Sequence, residues 1–222
     1  MWIKICGNTN LEDTRLAAEL GADAVGFVFA PSPRRVTTEH VAAIVPHLPE
    51  AVAKVGVFVT QDFDEIAETV RGAGLTGMQL GGFDPHLVVR LAEAFPELLI
   101  VQTAHWMAGT QTATDFANSL HQIRGASGID AVLIDSRTVT ASGGTGITFD
   151  WQAARRALAA LGTLPYIVAG GLNPGNVADA ISVLRPWGVD VASGVEAHPG
   201  RKDPEKVAAF IRVAKASAIQ SV

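Results

Sequence analysis

Short apolar runs alternate along the chain with amphipathic stretches. Residues 1–6 read as a strand. Residues 10–20 read as a helix, with Leu11, Ala17, Ala18 and Leu20 apolar and acidic residues at its start. Gly21 suits the end of that helix, where a left-handed residue is needed. The same alternation predicts strands at 24–29, 53–59, 77–80, 98–103, 130–135, 166–169 and 189–193. Helices are expected from near 38 and over 62–71, 84–95, 150–161, 173–184 and 204–215. One cue recurs: Gly21-Ala22-Asp23-Ala24, Gly128-Ile129-Asp130-Ala131 and Gly188-Val189-Asp190-Val191 each precede an apolar run. Each reads as a glycine helix stop leading into a parallel strand.

Strands alternating with helices imply a parallel sheet. Eight such units in 222 residues imply an α/β chain closed as a (β/α)8 TIM barrel, one catalytic domain over 1–222. The rival is an open, doubly wound sheet. Its glycine fingerprint after the first strand is missing, since Cys6-Gly7-Asn8-Thr9-Asn10 lacks Gly-x-Gly-x-x-Gly. The stretch 105–114 is polar and rich in Gly and Thr, with Trp106 and Met107 inside it. It reads as a loop, either a mobile lid or a surface loop with one packed tryptophan.

Composition narrows the function. Hydrophobic residues make up 48% of the chain and aromatics only 6%, which suits a sheet covered by helices on its faces. No apolar run approaches the ~18 residues that a membrane span needs, and the start lacks the pattern of a signal peptide. A lone cysteine excludes an internal disulfide and fits a reducing, cytoplasmic setting. The net charge of −5 argues against nucleic acid. An anionic substrate must therefore be held by local groups, because the overall field does not attract it. The expected partner is a small phosphorylated molecule, with no membrane, and with monomer and homodimer both open.

In a barrel, function sits at the C-terminal ends of the strands and in the loops that follow. That rule selects Cys6, Arg34, Arg35, Gly81, Thr103, Asp135, Gly170, Gly171, Ser193 and Gly194. Side chains alternate along a strand. If Ile3 and Ile5 face the helices, Lys4 and Cys6 face the interior, with Cys6 at the mouth. Lys4 would need a partner there, and as a cation it would favour a thiolate at Cys6. By the same alternation Val132 and Ile134 face the helices and Asp135 points inward. A carboxyl at an apolar mouth can have its pKa raised enough to act as a general acid. The two groups suit one proton donor and one acceptor working on different atoms.

Three glycine stretches fall in the last loops: Gly143-Gly144-Thr145-Gly146 before a helix with Asp150 as N-cap, Gly170-Gly171-Leu172-Asn173-Pro174, and Ser193-Gly194-Val195-Glu196. Glycines let backbone N–H groups approach a phosphate, and the last barrel loops commonly form such a site. Asn173 and Pro174 are expected as the N-cap and first turn of the next helix. The six histidines show no metal-ligand spacing; His40, His47, His86 and His121 are expected on helix surfaces. No cofactor motif stands out, and isomerisation by proton transfer needs none.

Several segments together resemble the phosphoribosylanthranilate isomerase family of tryptophan biosynthesis. They are Lys4-Ile5-Cys6-Gly7, Gly21 through Phe29 to Ser32-Pro33-Arg34, Val55-Gly56-Val57-Phe58-Val59, Leu133-Ile134-Asp135, the glycine stretches with Thr148-Phe149-Asp150-Trp151, and Val189 through Glu196 with Pro199-Gly200 and Lys202-Asp203. The resemblance implies an aldose–ketose isomerase performing an Amadori rearrangement. It implies Asp135 as the general acid that opens the ribose ring and Cys6 as the general base at C2. It further implies Arg34 as the contact of the anthranilate carboxylate. Phosphate would be held by the last glycine loops, including Gly143, Gly144, Gly170, Gly171, Ser193 and Gly194. Two segments depart from the family. Gln79-Leu80-Gly81-Gly82 has Gly81 where a histidine is usual, and 102–128 is longer than usual. An isomerase of a different aminoribose phosphate and a non-catalytic sugar-phosphate-binding barrel are the other readings. A hydrolase with Cys6 as nucleophile would need a histidine in reach, and only His105 falls near a strand end.

Overall fold

The computed structural model describes residues 1–108, 111–138 and 151–219. Eight parallel strands close into a barrel in chain order: β1 (Trp2–Ile5), β2 (Ala24–Val28), β3 (Ala53–Phe58), β4 (Gly77–Leu80), β5 (Leu99–Ala108), β6 (Ala131–Thr138), β7 (Tyr166–Ala169) and β8 (Gly188–Val191). The ring shuts where β1 pairs with β8, Lys4 beside Asp190. The outer helices are α1 (Leu11–Glu19), α2 (Thr38–Ile44), α3 (Phe63–Ala73), α4 (Pro85–Ala94), α5 (Ala113–Gly125), α6 (Trp151–Leu158), α7 (Val177–Leu184) and α8 (Pro204–Ile219). A small antiparallel hairpin, β9 (Glu196–His198) with β10 (Arg201–Lys202), is inserted between β8 and α8. No helix among the described residues is long and apolar enough to cross a membrane.

Local chemistry starts the helices. The side chains of Asn10, Thr37, Asp62, Asp84 and Thr112 accept backbone N–H groups at the first turns of α1 to α5, satisfying donors that the helix itself leaves open. The strands then sort their faces. Ile3, Ile5, Val132 and Ile134 pack outward in the main core with the helices. Val101, Ala131, Leu133, Ile167 and Ala169 form a separate inner cluster against Trp2 and Leu99. Trp2 in turn stacks on Trp187 at 5.1 Å. The inner face of β5, β6 and β7 is thus largely apolar. On β1, β4 and β8 it carries Lys4, Gln79 and Asp190, all buried.

Four sequence expectations are corrected. First, 105–108 is strand: β5 and β6 stay paired up to Ala108 beside Thr138, projecting above their neighbours. Trp106 is buried and meets Phe116 edge-on at 5.1 Å. The loop expected from 105 onward is displaced by that ladder, and the packed-tryptophan reading accounts for Trp106.

Second, α5, to which the sequence reading assigns no bounds, follows directly. A reciprocal cap between Thr112 and Asp115 starts it, and Phe116, Leu120 and Ile123 are its buried stripe. Third, Asn173 and Pro174 precede the helix rather than open it. Gly175 N–H donates to Asn173 Oδ1 and Asn173 N–H to Asn176 Oδ1, both at 2.8 Å. The Pro-Gly pair makes a turn, and the N-cap is Asn176.

Fourth, the three Gly-x-Asp cues are not one device. Gly21 and Gly128 do adopt positive φ. The carboxylates of Asp23 and Asp130 accept the N–H groups of Ile3 and Ile100, each at 2.8 Å. Gly188 instead lies inside β8, and α7 stops at a left-handed Arg185. With the strand begun three residues earlier relative to the motif, Asp190 lies within the strand and inside the barrel.

Candidate active site

The mouth of the barrel opens into a cavity of about 190 Å³ bordered by Arg34, Asp135, Gly170, Gly171 and Ser193, with Gln79 and Asp190 also reaching it. Asp135 ends up there for the reason its strand pattern gives: Leu133 points into the inner cluster, and Asp135, two residues on, shares that face. Between β6 and β1 stand β7 and β8, so the glycine turns span the arc from Asp135 to Cys6. Gly170 and Gly171 have φ of 85° and 68°. Two successive left-handed residues turn the backbone sharply at the end of β7, which only glycine does without strain. Ser193 opens a single 3-10 turn at residues 193–195. Gly194 is not on the cavity wall. It lies against the Leu172 carbonyl oxygen, which a Cβ at Gly194 would approach to 1.8 Å. The stretch Gly143-Gly144-Thr145-Gly146, with Asp150, lies outside the described residues.

Cys6 sits just past β1, 6% exposed, its N–H bonded to Val191 O at 2.8 Å. Gly26 on β2 leaves it room: a Cβ there would come within 2.7 Å of the thiol sulfur. Burial pushes the Cys6 thiol up. Lys4 and Lys202 pull it down, Asp190 adds to the rise, and the net direction is upward. Lys4 does favour the thiolate, as expected, but burial outweighs it. The ammonium reaches the thiol and is shared with two other partners: Lys4 Nζ donates to Asp190 Oδ1 at 2.8 Å and to Gln79 Oε1 at 2.9 Å. Gln79 Nε2 passes the chain on to Thr103 Oγ1 at 3.2 Å. Burial disfavours the Lys4 ammonium, yet Asp190 and Cys6 more than offset it, and its pKa is raised.

Arg34 lies over Gly7, where a Cβ would stand 2.5 Å from its Cδ. Its guanidinium grips Glu196 with two bonds, Nε to Oε1 at 2.7 Å and Nη2 to Oε2 at 2.6 Å. Glu196 also meets Lys202 Nζ at 3.2 Å. Lys202 donates further to the carbonyls of Cys6 at 2.6 Å and Ala192 at 3.2 Å. The hairpin carrying Lys202 is itself docked on α1, because Lys202 N–H donates to Asp13 Oδ2 at 2.8 Å. Sequence reasoning missed Glu196, Lys202, Gln79 and Asp190. Two charges flanking a Pro-Gly turn, Glu196 and Lys202, were the one available signal.

Three further candidates sit at the margin. Arg35 is exposed and borders a separate depression beside the stacked Phe29 and Phe58. Gly81 is closely packed: a Cβ would lie 3.0 Å from Val59 Cγ1 and 3.1 Å from Phe58 O, so a larger residue needs its neighbours to give by a few tenths of an ångström. Thr103 is buried as the last link of the Lys4 chain. His105, expected in a loop, stands beside Asp135, Nδ1 to Oδ2 at 3.5 Å.

A carboxyl, an arginine and the β7 glycine turn thus border one cavity, with the Cys6 thiol buried just past β1. The family model for N-(5'-phosphoribosyl)anthranilate (PRA) isomerase matches residues 3–213. The chain belongs to the PRA isomerase family. Among similar curated proteins is the N-(5'-phosphoribosyl)anthranilate isomerase of Pelobacter propionicus, 39% identical over 99% of this chain and 98% of its own length. That of Chlorobium luteolum is 41% identical over 97% of each. Among solved structures, phosphoribosyl anthranilate isomerase from Thermotoga maritima superposes with a TM-score of 0.85 at 38% identity, covering 97% of this chain and 99% of that one. A second structure of the family, TM-score 0.81 at 36% identity over 97% and 99%, is a complex with reduced 1-(o-carboxyphenylamino)-1-deoxyribulose 5-phosphate.

Proposed function

We propose that the chain catalyses the Amadori rearrangement of N-(5'-phosphoribosyl)anthranilate to 1-(2-carboxyphenylamino)-1-deoxyribulose 5-phosphate. The observation that carries this reading is an inward carboxyl, Asp135, on the wall of a cavity shared with Arg34, the Gly170-Gly171 turn and Ser193, with the Cys6 thiol buried just past the end of β1. Asp135, as the neutral acid, gives its proton to the ribose ring oxygen. The C1–O bond breaks, and the anilino nitrogen lone pair forms the C1=N bond. Cys6, as thiolate, takes the proton from C2. The C2–H electrons form C1=C2 while the C1=N π pair returns to nitrogen. The resulting enolamine becomes the ketone by moving the O2 proton to C1. Such steps are ordinary general acid–base work.

Arg34 takes the anthranilate carboxylate with a guanidinium already aimed by Glu196. Phosphate takes the N–H groups of the Gly170-Gly171 turn and of Ser193, with Gly194 packing that turn against Leu172, and Gly143 and Gly144 belong to the same expectation. Because the Cys6 thiol is pushed up, the thiolate fraction at neutral pH is small, and turnover rises with pH. Homodimer and monomer are both compatible with this site, which is built from one chain.

The experiment is complementation of a tryptophan auxotroph lacking this isomerase, followed by kinetics of the purified chain. Growth is expected. Asp135→Asn and Cys6→Ser should each lower kcat by at least ~100-fold, and Arg34→Ala should raise KM more than it lowers kcat. No growth, with soluble folded protein, would point to a different aminoribose phosphate.

A further inference from the structure

His105 is a group that the mechanism above does not use. It lies on the part of β5 that rises above the rest of the ring, directly beside Asp135 in the β5–β6 ladder. Its Nδ1 is buried, makes no hydrogen bond, and stands 3.5 Å from Asp135 Oδ2. Asp135 borders the cavity, whereas His105 is not among its lining residues. The imidazole therefore stands against the carboxyl. Its backbone is held on both sides: the strand pairing fixes His105, and the next residue, Trp106, is anchored on Phe116.

We propose that His105 is a positioning residue for the acid step, holding Oδ2 of Asp135 and so fixing the orientation of the carboxyl. The proposal rests on the reading of Asp135 as the general acid. In the Nδ1–H tautomer the imidazole donates toward Oδ2. A donor aimed at a carboxyl favours its charged form. The carboxylate left when the proton moves to the ring oxygen is thereby stabilised, and the proton leaves more readily. At 3.5 Å the contact is a few tenths of an ångström longer than a hydrogen bond. Catalytic hydrogen bonds are often long without substrate and tighten in the complex.

The test is steady-state kinetics on five variants with N-(5'-phosphoribosyl)anthranilate. H105F keeps a ring of similar size and loses the nitrogen. H105N returns an N–H near the place of Nδ1. H105F should lower kcat by about 10-fold, the worth of one hydrogen bond to a charged group, with KM within about twofold. H105N should recover kcat to within about threefold of the parent. H105F/D135N should be no slower than D135N, since the two residues act as a unit. Should H105F fail to fold, H105A with added imidazole carries the test, and recovery of kcat is expected.

If D135N loses ~100-fold while H105F keeps parental kcat, the proposal is overturned and the reading of Asp135 stands. If H105F and H105N are equally slow, or imidazole gives no recovery, the ring only packs and the proposal is overturned. If D135N itself keeps its turnover, the acid assignment fails and this proposal falls with it.

Discussion

Glu196→Gln should cost the fold about 3 kcal/mol at pH 7. The carboxylate is 4% exposed, faces Arg34 through two bonds and faces Lys202, whose side chain is wholly buried. Glutamine keeps the shape and one acceptor oxygen. It turns an amide N–H₂ toward cationic donors and leaves two cations sharing no anion. Removing one partner of a buried pair costs about 3–5 kcal/mol, and Arg34 retains some contact with solvent, which favours the lower figure. The assay is urea unfolding of parent and variant, compared at constant m so that the shift in midpoint reads stability.

The pH dependence of that difference is a second readout. Burial would raise the Glu196 pKa, but Arg34 and Lys202 outweigh it and hold it below the usual carboxylate range. A depressed carboxyl contributes stability above its unfolded pKa and loses it as pH falls through the folded one. The gap between parent and variant should be full at pH 7, intact near the unfolded value of about 4.3, and closing only below it. A gap under about 1 kcal/mol at pH 7, the size of an exposed pair, would refute the reasoning, as would a gap that does not change on acidification.

Cys6 is the one cysteine, so alkylation with iodoacetamide reads it without interference. Its raised pKa predicts slow modification at pH 7 and a rate that climbs beyond the ordinary thiol range of about 8.5; fast alkylation at neutral pH would contradict it. Gly194→Ala would drive a methyl into the Leu172 carbonyl, so about 3 kcal/mol of stability or more should be lost, together with a raised KM for the phosphorylated substrate. An unchanged urea midpoint in that variant would mean that the two loops are not in contact.

The barrel was legible because its strands are short apolar runs with glycine and aspartate between them. Strands such as Gly77–Leu80 and Tyr166–Ala169 fall on the expected residues. Alternation also put Lys4, Cys6 and Asp135 on the inner face before any coordinates. The β5–β6 extension was hidden, since His105 and the Gly109-Thr110 pair break the apolar run, and only pairing with β6 makes 105–108 a strand. The start of α5 was readable: Thr112 and Asp115 have capping-box spacing, and Phe116, Leu120 and Ile123 recur at helical intervals. The turn at 173–176 offered two asparagines as caps, and the Pro174-Gly175 pair decided for the second. The Arg34–Glu196–Lys202 cluster left only the two charges around the Pro199-Gly200 turn as a trace, because Arg34 lies far off in the chain and the members meet only when the hairpin folds back on α1.

Lys202 binds the carbonyl of Cys6 across 196 residues of chain. That single bond orders events during synthesis. The thiol emerges among the first residues made, and the lysine that pins its backbone emerges among the last. At about 5–20 residues per second the interval is roughly 10–40 s. During that time the proposed base hangs on an unclosed edge, its sulfur open to oxidants and its carbonyl unheld. Closing the seam between β1 and β8 is thus also the moment at which the catalytic mouth first exists.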